Sequence, residues 1–236
     1  MENILLPSKM SFAPGKNANE AILTVEPLHH GYGVTIGNAL RRILLSSLEG
    51  AAVTSVKMKG VTHEFSTLDG VKEDILEIIL NLKKMRMKVH AEEPVVLKLE
   101  WKGKEGQITA GDLGANADVE IVNKDLVLAH VTSKDAHVSA EVTISRGRGY
   151  EPTEEREASG ELGLIAIDSL FSPVTAVGLN IENTRVGEIT NYDKLVMTIQ
   201  TDGAMSPEQA VEASVKILLQ HFDWIHNQLA QPSEEA

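Results

Sequence analysis

The stretch HHGYGVTIGNALRRILLSSLEG, residues 29–50, combines three closely spaced glycines at 31, 33 and 37, and a fourth at its end, with the pattern of an amphipathic helix. Its apolar positions, projected at about 100° per residue, fall within about 80° of Ile36 and form an ordinary core stripe. We expect the helix to begin at a Thr35 cap and to end at Gly50. The stripe comprises Ile36, Ala39, Leu40, Ile43, Leu44 and Ser47.

The opposite face of this predicted helix carries Asn38, Arg41, Arg42 and Leu45. A cationic pair beside an apolar side chain is typical of an interface anchor, because arginine is favoured in interfaces and can bind a carboxylate through two donors. A solvated face with a single exposed leucine explains the same residues, since exposed leucines are common. The residues alone leave both interpretations open.

The glycines suggest an alternative, in which the turn before the helix cradles a phosphate. Their spacing is G-x-G-x-x-x-G, one residue longer than the dinucleotide-binding pattern, and Pro27 interrupts the approaching strand. No Lys-Ser or Lys-Thr pair follows to indicate a P-loop. A nucleotide-binding enzyme is therefore the weaker hypothesis, and we expect the glycines to shape the entry to the helix.

Composition and charge exclude or disfavour several classes of function. The 236 residues contain no cysteine, which excludes disulfides and thiolate chemistry and is typical of a cytosolic protein. The net charge of −12, from 34 acids against 22 bases, disfavours nucleic-acid binding by the surface as a whole. No apolar run is long enough to span a bilayer, and no signal peptide is apparent at the N-terminus.

The segment SPEQAVEASVKILLQHFDWIHNQLAQ, from Ser206 onward, predicts a long helix with Ser206 as its cap and Gln209 three residues later. Its apolar residues follow a heptad pattern, which favours packing against another helix, although a helix lying on its own sheet remains open. We therefore predict helix-mediated dimerisation. The seam comprises Val211, Val215, Leu218, Phe222, Ile225 and Leu229.

Residues 51–150 read as a β-rich unit with one helix over 71–85, and 150–160 as a mobile loop. Two basic stretches, LKKMRMK at 82–88 and SRGRGY at 145–150, suggest a third hypothesis of nucleic-acid binding, with a solvated helix end and a glycine turn as the alternatives. Histidine and carboxylate spacings indicate no metal site, and no catalytic arrangement is apparent. We expect no cofactor.

Several collinear stretches carry a family resemblance. VEPLHHGYGVTIGNALRRILLSSLEG and its continuation to VKEDILEIILNLKKM resemble the N-terminal part of bacterial RNA polymerase alpha subunits. So do ISRGRGYEP, FSPV with VGLNIENTRVGEITNYDKLVMTIQTDG, and SPEQAVEASVKILLQHF. Together these matches cover nearly all of residues 20–225, which is more specific than any single motif.

The resemblance implies an α+β fold, with a dimerisation domain of a sheet and two helices interrupted by an inserted β-rich domain. The dimerisation domain would comprise residues 1–49 and 173–230, and the insert residues 50–172. Residues 231–236 would be a frayed tail or the start of a linker.

The resemblance further implies a homodimer that scaffolds the beta and beta-prime subunits of a cytoplasmic, nucleoid-associated polymerase, without catalytic residues of its own. The dimer interface would comprise Ile36, Leu40, Ile43, Leu44, Val211, Val215, Leu218, Phe222 and Ile225. The beta-subunit interface would comprise Asn38, Arg41, Arg42, Leu45 and Glu77, with Lys83, Arg146 and Arg148 as further contacts to the large subunits.

Family members usually continue through a flexible linker into a second domain that binds promoter DNA and activators. This sequence ends at Ala236, about where such a linker would begin. We therefore expect no direct DNA binding from the chain as it stands.

Overall fold

The computed structural model of the chain describes residues 4–156 and 162–230. In chain order its strands and helices are β1 (Lys9–Pro14), β2 (Glu20–Leu28), α1 (Tyr32–Ser46), β3 (Glu49–Met58), α2 (Ile75–Leu82), β4 (Met87–Val89), β5 (Val95–Lys102), β6 (Gly106–Thr109), β7 (Val119–Ile121), β8 (Val127–Val131), β9 (His137–Arg148), β10 (Tyr150–Glu151), β11 (Leu164–Ala166), β12 (Ser169–Leu170), β13 (Val174–Val186), β14 (Ile189–Thr201) and α3 (Pro207–Ala230). The prediction of a mixed α+β fold is confirmed.

The chain divides into two compact units. Residues up to Leu48 and from Val174 onward form the first unit, whereas Glu49–Pro173 form the second. The first unit is therefore built from two stretches of chain that are far apart in sequence.

The first unit is an antiparallel sheet in the order β1-β2-β14-β13, with α1 packed on β13 and β14. From Asp193 onward the burial of strand β14 alternates, so that Leu195, Met197 and Ile199 are fully buried on one face. These side chains share a core with Leu40 and Leu44 of α1. The sheet therefore buries one face beneath its helices.

The second unit contains a four-stranded antiparallel sheet in the order β11-β3-β9-β5, together with three two-stranded sheets and α2. The predicted apolar stripe of α2 is confirmed, because Ile75, Ile78, Ile79 and Leu82 are all buried in its core. The helix is shorter than the predicted span of 71–85. It begins after Asp74, whose side chain accepts a hydrogen bond from the Glu77 amide at 2.7 Å.

Local signals located one helix start correctly and missed another. The cap of α3 is confirmed: the Ser206 hydroxyl accepts from the Gln209 amide at 3.2 Å, and the Gln209 side chain accepts from the Ser206 amide at 3.1 Å. The predicted Thr35 cap of α1 is wrong, since the helix begins at Tyr32 and the Thr35 hydroxyl donates to the Gly31 carbonyl.

Two further expectations need correction. Helix α1 ends at Ser46 rather than at Gly50, because Glu49 and Gly50 pair with β9 as the start of β3. Residues 150–160 are not entirely loop, since Tyr150–Glu151 pairs with Ser169–Leu170 and Thr153–Glu155 forms a 3-10 turn. The rest of that predicted loop, residues 157–161, and the predicted tail, 231–236, lie outside the described residues.

Candidate interaction surfaces

The glycine-rich turn at the start of α1 is closed by a carboxylate from another strand. Gly31 adopts a left-handed conformation with φ of 85°, and α1 has no cap from a neighbouring side chain. Instead, Asp193 of β14 accepts hydrogen bonds through Oδ2 from the amides of Gly31 at 2.9 Å and Gly33 at 3.0 Å. The amides that a phosphate would need are therefore occupied, which counts against the nucleotide-binding hypothesis.

Gly33 and Gly37 allow α1 to approach the sheet closely. A Cβ atom at Gly37 would lie 2.5 Å from Leu179 Cδ1 and 2.9 Å from Leu195 Cδ1. A Cβ atom at Gly33 would lie 3.0 Å from the Asp193 side chain. These two glycines allow close packing of α1 on the sheet. The prediction that the glycines shape the helix entry therefore holds for Gly31 and Gly33, whereas Gly37 lies within the helix and serves its packing.

The burial of α1 confirms the predicted division into two faces. The predicted stripe is buried or partly buried, whereas Asn38, Arg41, Arg42 and Leu45 are exposed. Leu45 retains 37% of its surface. Within residues 4–156 and 162–230, the guanidinium groups of Arg41 and Arg42 form no ion pair and no hydrogen bond, and Arg42 accepts from the Ser46 hydroxyl only through its carbonyl. The outward face therefore offers two unpaired guanidinium groups beside an apolar side chain.

Helix α3 changes character along its length. Its first turns are buried in the first unit, where Ala210, Val211 and Ser214 are almost inaccessible. Further along, Phe222 is 62% exposed and Ile225 is 48% exposed. The other exposed apolar side chains of this helix are Val215, Leu219, Trp224 and Leu229. Such a continuous apolar surface marks an interaction site.

The residues that were expected at the dimer interface fall into two groups according to the solvent exposure of their side chains. Leu40, Leu44 and Val211 are at most 5% exposed and lie in the core of their own chain. Their side chains leave no surface for a partner, so we assign them to that core. The remaining residues keep accessible surface: Ile36, Ile43 and Leu218 are partly buried, and Val215, Phe222 and Ile225 are exposed.

The second unit presents the other predicted contact residues. Glu77 is exposed on α2, and Lys83 follows the end of that helix. Arg146 and Arg148 lie two residues apart on β9, so they share a face of that strand. Arg146 forms an ion pair with Glu49 at 2.9 Å. Glu77 and Lys83 thus belong to α2 and its end, whereas Arg146 and Arg148 belong to β9. The structure does not join these four residues into one cluster.

A cleft beside α2 contains Lys83 and two leucines that the sequence analysis did not single out. It has a volume of about 460 Å³ and lies between α2 and the segment Leu164–Asp168. Leu76 and Leu80 line it from α2, and both are exposed. Their spacing of four residues, outside the core stripe, is a sequence signal that could have identified them.

Asp168 gives one wall of this cleft its negative charge. The Thr153 amide donates to Asp168 Oδ1 at 3.0 Å, and the Lys83 ammonium lies 3.5 Å from Oδ2. The Thr153 hydrogen bond and, to a smaller extent, the Lys83 charge hold the pKa of Asp168 below its ordinary value, although partial burial opposes them. The aspartate is therefore ionised at neutral pH and pairs with Lys83.

Glu73 and His130 form a carboxylate–imidazole pair in the second unit. Burial raises the pKa of Glu73, but hydrogen bonds from the His130 amide and ring outweigh it and lower that pKa overall. The other ring nitrogen of His130 lies 3.2 Å from the amide nitrogen of Gln107. An amide, rather than a hydroxyl, thus occupies the position that a nucleophile would need, and the pair joins the segment before α2 to strand β8.

Among residues 4–156 and 162–230, no three histidine or acidic side chains are grouped closely enough to hold a metal ion. None of the helices in these ranges is long and apolar enough to cross a membrane.

Comparison with known proteins identifies the class first. The family described as "RNA polymerase Rpb3/RpoA insert domain" matches residues 56–172, which lie in the second unit. The chain belongs to the family of RNA polymerase alpha subunits.

Individual relatives extend the match to most of the chain. It is 53% identical over 201 residues to the DNA-directed RNA polymerase subunit alpha of Alkaliphilus oremlandii, covering 85% of this chain and 63% of the relative. It is 52% identical over 205 residues to the protein of that name from Carboxydothermus hydrogenoformans, covering 86% and 64%. The Oceanobacillus iheyensis protein is 50% identical over 209 residues, covering 88% and 66%. The chain thus spans just under two thirds of the length of these relatives.

Proposed function

We propose that this chain is an assembly subunit of a DNA-directed RNA polymerase that pairs with a second copy of itself and binds the large catalytic subunits. Its relatives bear the name of such a subunit. In this proposal polymerisation is carried out by the partner chains in the cytoplasm, and this chain contributes binding surfaces. The observation that carries the proposal is the pair of unsatisfied surfaces on α1 and α3.

The part of α3 from Val215 onward is the proposed dimer contact. It presents Val215, Phe222, Ile225 and Leu229 at spacings of three, four and seven residues, the repeat that suits packing against another helix. The helix has 24 residues and is therefore about 36 Å long, which provides a long seam. Ile36 and Ile43 of α1, only partly buried in their own chain, extend this apolar surface.

The outward face of α1 is the proposed beta-subunit contact. Arg41 and Arg42 are exposed and have no acidic partner within the described residues, and Leu45 lies beside them. An acidic, partly apolar surface on the partner would satisfy all three side chains. In the second unit, Glu77 is a further proposed contact to beta, and Lys83, Arg146 and Arg148 are proposed contacts to the large subunits.

The net charge supports a role through proteins rather than through DNA. At −12 the chain repels a polyanion, so we propose that DNA is held by the partner subunits. The same charge would favour partner surfaces that are basic away from the Arg41–Arg42 contact.

Co-purification of the tagged chain with its native partners tests the proposal directly. We expect a second copy, beta and beta-prime to be recovered together. Arg42→Ala and Leu45→Ala should leave the dimer intact but weaken the capture of beta, whereas Lys16→Ala, which removes an exposed cation from the β1–β2 turn, should change neither. Folded but monomeric Arg42→Ala or Leu45→Ala variants would contradict the assignment of faces.

The seam is tested separately by Leu218→Asp. An unpaired charge in a dry contact is costly, so this variant should sediment as a folded monomer. A variant that remains dimeric at the concentrations where the unmodified chain is dimeric would refute the proposed contact.

A further inference from the structure

We infer that Asp193 is a positioning residue for the outward face of α1, which it holds in place by supplying the helix with an anion from within the same chain. This inference rests on the proposed function of that face. It concerns a residue on β14, remote in sequence from the helix that it fixes.

The start of α1 has an unusual need for this carboxylate. The first amides of any helix lack partners within the helix and carry the positive end of its dipole. In α1 the first turn contains no acidic residue, and the residue before the helix is a glycine without a capping side chain. Asp193 meets both needs, because it accepts from Gly31 and Gly33 and brings a negative charge.

The burial of Asp193 makes this arrangement specific. The residue is only 4% exposed, and a buried ionised carboxylate is costly unless charge and hydrogen bonds compensate it. Besides the two amides, its nearest partner is the exposed His30 ring, 3.6 Å from the other carboxylate oxygen. The start of α1 therefore offsets most of the cost of burying the Asp193 charge, and Asp193 in turn stabilises the start of α1.

Asp193 acts together with the next inward residue of its strand. Asp193 and Leu195 lie on the same buried face of β14, two residues apart. Asp193 holds the first turn of α1, and Leu195 packs where Gly37 lets the helix approach. Two attachments along one helix fix both its axis and its rotation. That rotation turns Arg41, Arg42 and Leu45 away from the sheet.

The first test measures the helix terminus alone, without any partner subunit. In Asp193→Gly, we expect the amides of Gly31 and Gly33 to exchange hydrogen about tenfold faster, because the stabilisation from a cap corresponds to about that factor. Formate, a carboxylate small enough to replace the missing side chain, should restore slow exchange, whereas chloride at equal ionic strength should not. Unchanged exchange, or exchange that formate does not affect, would overturn the inference.

The second test measures beta capture by the same variant. We expect Asp193→Gly to lower capture about fivefold and formate to restore it. Leu195→Ala, which loosens the same helix without removing a carboxylate, should lose capture without formate rescue. Rescue of Leu195→Ala by formate, or restored exchange in Asp193→Gly without restored capture, would overturn the positioning role.

Asp193→Asn provides a variant that keeps the shape of the side chain if Asp193→Gly does not fold. Its neutral amide oxygen can still accept a hydrogen bond, so exchange and capture should be intermediate. Capture equal to that of the unmodified chain would overturn the role of the charge. If instead Arg42→Ala and Leu45→Ala leave capture unchanged, the proposed function of the face fails, while the exchange measurement still decides whether Asp193 holds the helix.

Discussion

Replacing Phe222 by alanine should weaken the proposed dimer by several orders of magnitude. The side chain is 62% exposed in the single chain. An aromatic side chain buries about 200 Å² when covered, so about 120 Å² remains for a partner to cover. At about 25 cal/mol per Å² this area corresponds to about 3 kcal/mol. A twofold contact contains the residue twice, which gives about 6 kcal/mol, or about 10⁴-fold in the dissociation constant.

Sedimentation equilibrium over a wide concentration range measures this change. The control is Phe65→Ala, since Phe65 is 77% exposed and belongs to the second unit rather than to α3. Removing it should leave the dimer unchanged, which separates the effect of position from a general loss of surface hydrophobicity. Equal dissociation constants for Phe222→Ala and Phe65→Ala would refute the assignment of the seam to the part of α3 from Val215 onward.

Three further predictions concern stability. Leu44→Ala should lower the free energy of unfolding by about 2–5 kcal/mol, because Leu44 is fully buried. Leu45→Ala should lower it far less, because Leu45 is exposed. Urea titration of the two variants compares these losses. Ser206→Ala should destabilise the protein by about 1 kcal/mol, because it removes the hydroxyl that caps α3. Thermal unfolding measures this loss, and an unchanged melting temperature would contradict a stabilising role of the cap. Because the pKa of Asp168 is lower in the folded chain than in the unfolded chain, its ionised form stabilises the fold. This stabilisation is complete above the unfolded pKa of about 4, and it is lost as the pH falls through the folded pKa. Asp168→Asn should therefore flatten the acid limb of the stability curve, and an unchanged limb would contradict this.

The helix starts show what the sequence can and cannot predict. The Ser206–Gln209 cap was predictable because both partners lie within one turn and their spacing is a local signal. The start of α1 was not, because its acceptor, Asp193, lies 162 residues from Gly31. Thr35 looked like a cap only because no nearer candidate was visible in the sequence.

The interaction surfaces were predictable to different degrees. Helical periodicity separated Arg42 and Leu45 from the core stripe of α1, and the burial of the structure agrees. Periodicity could not separate residues that face their own sheet from residues that face a partner. Val211 belongs to the same heptad pattern as Phe222, yet only Phe222 is exposed. That distinction depends on which part of each helix is covered by the rest of the first unit, which is a tertiary property.

The dependence of α1 on β14 also has a consequence for synthesis. While the chain is growing, α1 and β2 emerge early, but the strand that supplies Asp193 and Leu195 follows only after the whole second unit. The second unit is a continuous stretch of chain and can fold first, as contiguous domains do on the ribosome. A nascent chain halted within the second unit would therefore lack a correctly held α1. On the proposed function, completion of β14 would act as a checkpoint, because the proposed binding face would be finished only on chains that have passed it.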